Sequence, residues 1–154
     1  MIEKPIDKIG PEDFERLKAN GVAEGRTLEY KEALPGATDA ERKEFLNDVS
    51  SFANAVGGDI IYGLKSGRDA SGKSNGLIES VDGLAVTNCD VEIQRLENML
   101  RDGIAPRIPG VRFQWVDGLS RGQALLIRVP RSWAGPHMVT YQQSSRFYSA
   151  SPAS

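Results

Sequence analysis

Phe52-Ala53-Asn54-Ala55-Val56-Gly57-Gly58-Asp59-Ile60-Ile61-Tyr62-Gly63 reads as the end of a helix, a two-glycine break and a short apolar strand. Upstream, Thr38-Asp39-Ala40-Glu41 has the form of a capping box, in which the threonine oxygen takes an orphan backbone N–H and the glutamate reaches back. Between cap and break, apolar residues recur at Phe45, Val49, Phe52, Ala53 and Val56, the spacing of one helix face. Gly57 falls where a left-handed residue ends a helix without a Cβ clash. Gly58 lets the chain turn close to whatever packs there. Ile60-Ile61-Tyr62 is β-branched and aromatic, as strands prefer, and Gly63 ends it. Asn54 lies in the last helical turn and is read as structural, its amide bonding the turn into the strand.

Working outward, Thr27 to Lys31 predicts a strand with Leu28 and Tyr30 on one face and Glu29 and Lys31 on the other. Pro11 to Asn20 predicts a short helix. Proline suits its first turn, Glu12 and Asp13 suit the positive end of its dipole, and Gly21 ends it. Residues 1–10 read as a poorly ordered lead-in, so residues 1–21 are set apart from a body of residues 22–154. Downstream, residues 65–76 have no apolar anchor and end on Asn75-Gly76, which predicts a long exposed connection. Asp90 to Ile104 predicts a second long helix with Ile93, Leu96, Leu100 and Ile104 on one face; Pro106 and Pro109 block its continuation. Val111–Val116 and Ala124–Val129 predict a hairpin whose turn begins at Asp117-Gly118. Met138–Tyr141 and Arg146–Tyr148 suggest two further short strands. Interspersed helices and locally paired strands give an α/β (α+β) fold, a compact mixed β-sheet packed with two long helices.

A chain of 154 residues corresponds to one domain able to enclose a core without staples. One cysteine, Cys89, excludes an internal disulfide and a cysteine-rich metal site, and points weakly to a reducing setting. Apolar runs are too short to cross a bilayer, and the first residues lack a signal-peptide core, so the expectation is a cytoplasmic protein. A net charge of −2 means that any nucleic-acid binding must come from a local basic face. The oligomeric state is open, a homo-oligomer included.

Gly67-Arg68-Asp69-Ala70-Ser71-Gly72-Lys73-Ser74 fits the phosphate-binding P-loop pattern. A P-loop needs a helix to begin at Lys73-Ser74, and Asn75-Gly76 breaks one, so ATP binding here is the weakest reading. Glu24 and Glu29 are a better lead. Two carboxylates near a third acid can hold a divalent cation that polarises a phosphodiester, with Asp59 and Asp69 the nearest candidates for the third. The bland reading is a solvated strand edge. His137 is the only histidine and is read as structural, beside Pro136. Lys31, Arg42, Lys43, Lys65, Arg68, Lys73, Arg128, Arg131 and Arg146 are scattered, and strand ends could gather several into a phosphate-binding face.

These residues resemble the Schlafen AlbA-type domain, described as a DNA-binding domain of prokaryotic regulators. The resemblance is carried by Glu24-x4-Glu29-x-Lys31, by Phe52-Ala53-Asn54-Ala55-x-Gly57-Gly58, by Ile60 through Gly63, by Val129-Pro130-Arg131-Ser132, by Pro136-His137 and by Phe147-Tyr148. It spans roughly residues 22 to 150. It implies a compact α/β domain of a regulatory or defence protein that binds DNA or RNA and needs no cofactor to do so. The phosphate contacts would then come from Lys31, Lys65, Arg68, Lys73, Arg131 and Arg146. Schlafen nucleases use two glutamates and an aspartate with magnesium or manganese to cleave RNA. By resemblance the glutamates, and so the metal ligands, are Glu24 and Glu29. The third acid is expected near Lys65-Ser66, where none stands, and Asp69 is the nearest substitute. The family also places an arginine after the aromatic pair; here Ser149-Ala150 follow it, and Arg146 precedes it.

Overall fold

The computed structural model describes residues 1–140 and the backbone of Arg146 and Phe147. After a 3₁₀ turn at Ile6–Lys8, the chain runs α1 (Pro11–Ala19), β1 (Leu28–Lys31), α2 (Asp39–Asn54), β2 (Gly58–Tyr62), β3 (Leu64–Arg68) and β4 (Ser74–Val81). It continues through α3 (Cys89–Gly103), β5 (Ile104–Ala105), β6 (Arg112–Leu119), β7 (Gly122–Val129), β8 (Met138–Val139) and β9 (Arg146–Phe147). Four strands form a central sheet in the order β1-β2-β7-β6. The pair β1·β2 is parallel and the other two are antiparallel, so the sheet is mixed as expected.

Alternation along each strand decides which layer a side chain meets. Ile60 and Tyr62 of β2, with Leu125, Ile127 and Val129 of β7, pack with Phe45, Leu46, Val49, Phe52 and Ala53 of α2 and Leu96 of α3. Ile61, Ala124 and Leu126 face the opposite layer, where Ile6, Ile9, Phe14, Tyr30, Ile78 and Val81 cover them. The threonine half of the predicted α2 capping box forms, Thr38 Oγ1 accepting from Glu41 N at 3.2 Å. The helix stops at Asn54, so Val56 falls outside its period and is exposed.

The lead-in is tied down. Asp59 is wholly buried and stands opposite Arg128 in the β2·β7 register. Arg128 Nε donates to Asp59 Oδ1 at 2.9 Å and Nη2 to Oδ2 at 3.0 Å. The same guanidinium donates to the carbonyls of Lys4 at 2.6 Å and Ile2 at 2.7 Å, and Ile2 N donates to Asp59 Oδ2 at 2.8 Å. The first residues therefore pack through a buried ion pair that lies far along the chain from them. Asp59 and Arg128 are thereby engaged with each other, not with a cation or a phosphate.

Two other expectations are corrected. Residues 65–76 are not a plain connection: β3 and β4 form an antiparallel hairpin with two register shifts, Arg68 opposite Ser74. Its polar residues hide the strand from periodicity, because main-chain bonds form it. Lys73-Ser74 leads into β4 and begins no helix, so the P-loop match has no helix N-terminus for phosphates. In the second hairpin, Asp117-Gly118 is a bulge, with Gly118 at φ 90, and the turn falls between Leu119 and Gly122, which pair. Tyr141 and Tyr148, expected to extend the last strands, lie outside the described residues.

Candidate functional site

Three segments far apart in sequence meet at the C-terminal end of α2. Gly57 sits at φ 82 and its N–H returns to Phe52 O at 2.8 Å, closing the helix. Ser132 N donates to Ala53 O at 2.9 Å. Asn54 grips the backbone of His137, Oδ1 accepting from its N–H at 2.8 Å and Nδ2 donating to its carbonyl at 3.0 Å. His137 is wholly buried, with Nδ1 2.7 Å from Pro106 O and Nε2 2.6 Å from Ser132 Oγ. A carbonyl only accepts, so Nδ1 carries a proton and donates to Pro106 O, while Nε2 shares a hydrogen bond with the Ser132 hydroxyl. Ser132 Oγ also accepts from Ala134 N at 3.2 Å, which makes the Ser132–His137 pair part of a clasp. Asn54 bonds the backbone of a residue 83 positions away, a contact that the expected bond to the turn into β2 did not foresee. Asn54→Ala is expected to cost roughly 1–2 kcal/mol, because both bonds are partly buried. A thermal melt matching the parent would contradict this.

A carboxylate cluster lies on the helix side of β1. Glu29 and Lys31 point that way because Leu28 and Tyr30 take the opposite face. Above them, α2 contributes Glu44 and Asp48, four apart and so on one helix face. Lys31 Nζ lies 3.3 Å from Glu29, 3.0 Å from Glu44 and 3.5 Å from Asp48. Three carboxylates share one ammonium. Burial, with Glu29 next to it, pushes the Asp48 carboxyl up to about 7. Burial also raises Glu29; Lys31 opposes this, while Glu24 and Glu44 add to it. Lys31 is raised in turn, the carboxylates outweighing its burial. Glu24 Oε1 accepts from Tyr30 N and Ser66 Oγ, both at 3.3 Å. Asp69 faces its own turn, accepting from Ser71 N at 2.9 Å, Ser71 Oγ at 2.6 Å and Lys73 N at 3.1 Å. As they stand, Glu24, Glu29 and Asp69 do not form one donor set. Among the described residues no group of three or more His, Cys, Asp or Glu side chains is placed to hold a metal ion.

The expected basic residues fall in different places. Lys65, Arg68 and Lys73 share the β3–β4 hairpin; Lys65 pairs with Glu79 at 3.5 Å, while Arg68 and Lys73 are exposed. Lys31 is enclosed in the carboxylates. Arg131 leaves the clasp near Gly57, at the opposite end of β2 from β3. Arg146 lies in β9, and its side chain is outside the described residues.

A family model described as Schlafen, AlbA_2 matches residues 24–150. The chain belongs to that family. A solved structure similar to it is the N-terminal domain of a protein from Nitrosomonas europaea described as related to the ATP-dependent DNA helicase RecG. It is 18% identical, with a TM-score of 0.64, over 95% of this chain and 90% of that one. The DIP2311 protein from Corynebacterium diphtheriae is 20% identical with a TM-score of 0.49; 90% of this chain covers 25% of that one. No curated protein matches the chain.

In this AlbA_2 domain the sequence reading missed Glu44 and Asp48. Their spacing of four was visible, but what they face was not, because the parallel β1·β2 pairing brings β1 under α2. The raised Asp48 has a testable consequence. Between its unfolded value near 3.8 and about 7, the folded state holds a proton that the unfolded state has lost. The contribution of this group is therefore complete below that window and is lost as pH rises through it. Asp48→Asn should gain on the parent by about 1–2 kcal/mol in unfolding free energy between pH 5 and pH 8, discounted for coupling to Lys31. Denaturant melts at the two pH values check this; a constant difference between the proteins contradicts it.

Proposed function

We propose that this AlbA_2 domain binds nucleic acid through its phosphates, using arginine and lysine side chains that have no acidic partner. The observation that carries the reading is the β3–β4 hairpin tip. Asp69 spends its carboxylate on the loop backbone and Ser71, and neither Arg68 nor Lys73 has an ion-pair partner among the described residues. The resulting cationic tip suits a polyanion, and no cofactor is required. The description of the Nitrosomonas europaea protein as related to a DNA helicase agrees in kind. Titration of single- and double-stranded DNA and RNA at stepped salt should give affinity that falls steeply from low to moderate salt. Arg68→Ala with Lys73→Ala should reduce the salt slope by about 1.5–2. No binding to any of the four at low salt would remove the reading.

A second reading is a metal-dependent ribonuclease, favoured by the excess of carboxylate around Lys31. Its donors would be Glu24 and Glu29 with Asp48 from α2 in the role expected of Asp69, a set that the described residues do not hold together as they stand. Lys31 would have to leave the cluster for magnesium or manganese to enter. RNA incubated with either metal should then be cleaved, and Glu29→Gln should stop cleavage with the fold intact. Uncut RNA after long incubation would argue against it.

A further inference from the structure

We propose that Trp133 is a stacking platform for an unpaired nucleobase, with the adjoining groove taking neighbouring phosphates; this rests on the phosphate-binding reading above. Trp133 is 82% exposed, the most exposed large apolar side chain among the described residues. A solitary exposed side chain is ordinary, so the neighbours must decide. The Arg131 guanidinium lies 3.9 Å from the indole centroid. It holds one face of the ring by a cation–π contact, and the high exposure leaves the other face to solvent.

The segment that carries the indole is fixed. Ser132 N bonds Ala53 O, Ala134 N bonds Ser132 Oγ, and His137 is gripped by Asn54. The platform is thus held before any ligand arrives. Ala134, the next residue, lines a groove of about 640 Å³ together with Arg101, Arg107, Ile108 and Phe113. Arg101 pairs with Asp102 at 3.1 Å and Glu97 also lines the groove, but Arg107 is exposed with no acidic partner among the described residues. Arg131 lies over the indole and has no acidic partner among the described residues. An open aromatic face backed by the Arg131 guanidinium, with Arg107 in the groove that begins at Ala134, matches one ligand chemistry, a flat base joined to phosphate. Duplexes bury their base faces, so the occupant is a single strand. Every base has a π-face, so stacking here does not depend on sequence.

The test is tryptophan fluorescence during titration with deoxythymidine and uridine 12-mers and with a DNA duplex of equal length, at low salt. Trp115 packs against the core and serves as the internal background. Both single strands should quench Trp133 more than the duplex does. Trp133→Ala should weaken single-strand binding about tenfold, and Trp133→Phe should retain most of it, since a phenyl ring also stacks. If Trp133→Ala binds single strands as the parent does, with the salt slope intact, stacking is overturned while the phosphate reading stands. Absence of binding by the parent at low salt overturns both. Sedimentation showing a dimer that Trp133→Ala dissolves, without quenching by oligonucleotide, would assign the indole to a second copy and overturn the proposal.

Discussion

Gly57→Val is expected to abolish the cooperative melt or to lower its midpoint by roughly 10 °C or more. Two independent effects act at this position. Gly57 has φ 82, a region in which a β-branched residue is strained by about 1–3 kcal/mol. A Cβ would also lie 2.8 Å from Val129 O and 2.9 Å from Arg131 N. Those atoms are backbone of β7 and of the clasp segment, so a rotamer change cannot relieve the contact. Overpacking of this kind adds about 1–3 kcal/mol. The sum is a large share of the 5–15 kcal/mol or so that holds a domain folded. Gly57→Ala should fall between parent and valine, because it keeps the clash and omits the branching. Gly58→Ala should also be costly: its Cβ would meet the buried Phe52 ring at 2.8 Å. A valine variant melting within a few degrees of the parent would show that the helix end can rearrange.

What the sequence made legible was local. The Thr38 cap, the break at Gly57 and the strand after it are written in adjacent residues, and each forms where read. The β6–β7 pairing was legible for the same reason, although a bulge moved the turn. The α3 stripe was legible in part: Leu96 and Leu100 pack on the core, while Ile104 does so from β5, after the helix has ended at Gly103. The illegible parts are those in which partners lie far apart. Nothing near Asn54 names His137, and nothing near Asp59 names Arg128. Glu29 and Lys31 were placed on one strand face correctly, but the acids above them come from α2 through the β1·β2 pairing. Trp133 drew no functional reading from the sequence, because exposure cannot be read from a residue type that is usually buried. The basic residues show the reverse failure. Listing them by charge could not reveal that Lys31 and Arg128 are committed to carboxylates, whereas Arg68 and Lys73 have no acidic partner among the described residues.

Arg128→Met should be the next most damaging change, costing about 3–5 kcal/mol. The methionine approximates the stem but leaves the Asp59 carboxylate wholly buried, with Ile2 N–H kept and both Arg128 bonds lost. A buried carboxylate in that state must either carry its full desolvation cost or take up a proton. The same substitution frees the carbonyls of Ile2 and Lys4, so the first residues lose two of the bonds that hold them to the sheet. Removing both charges separates these two losses. In Asp59→Leu with Arg128→Met no unpaired ion remains, and only the anchoring bonds and packing are missing. The double variant should therefore be more stable than Arg128→Met alone, although Asp59→Leu removes a further acceptor. Urea unfolding of the parent, both single variants and the double variant measures the coupling. If the double variant is as unstable as Arg128→Met or more so, the unpaired charge is not the source of the loss. The anchoring of Ile2 and Lys4 would then be what Arg128 chiefly provides.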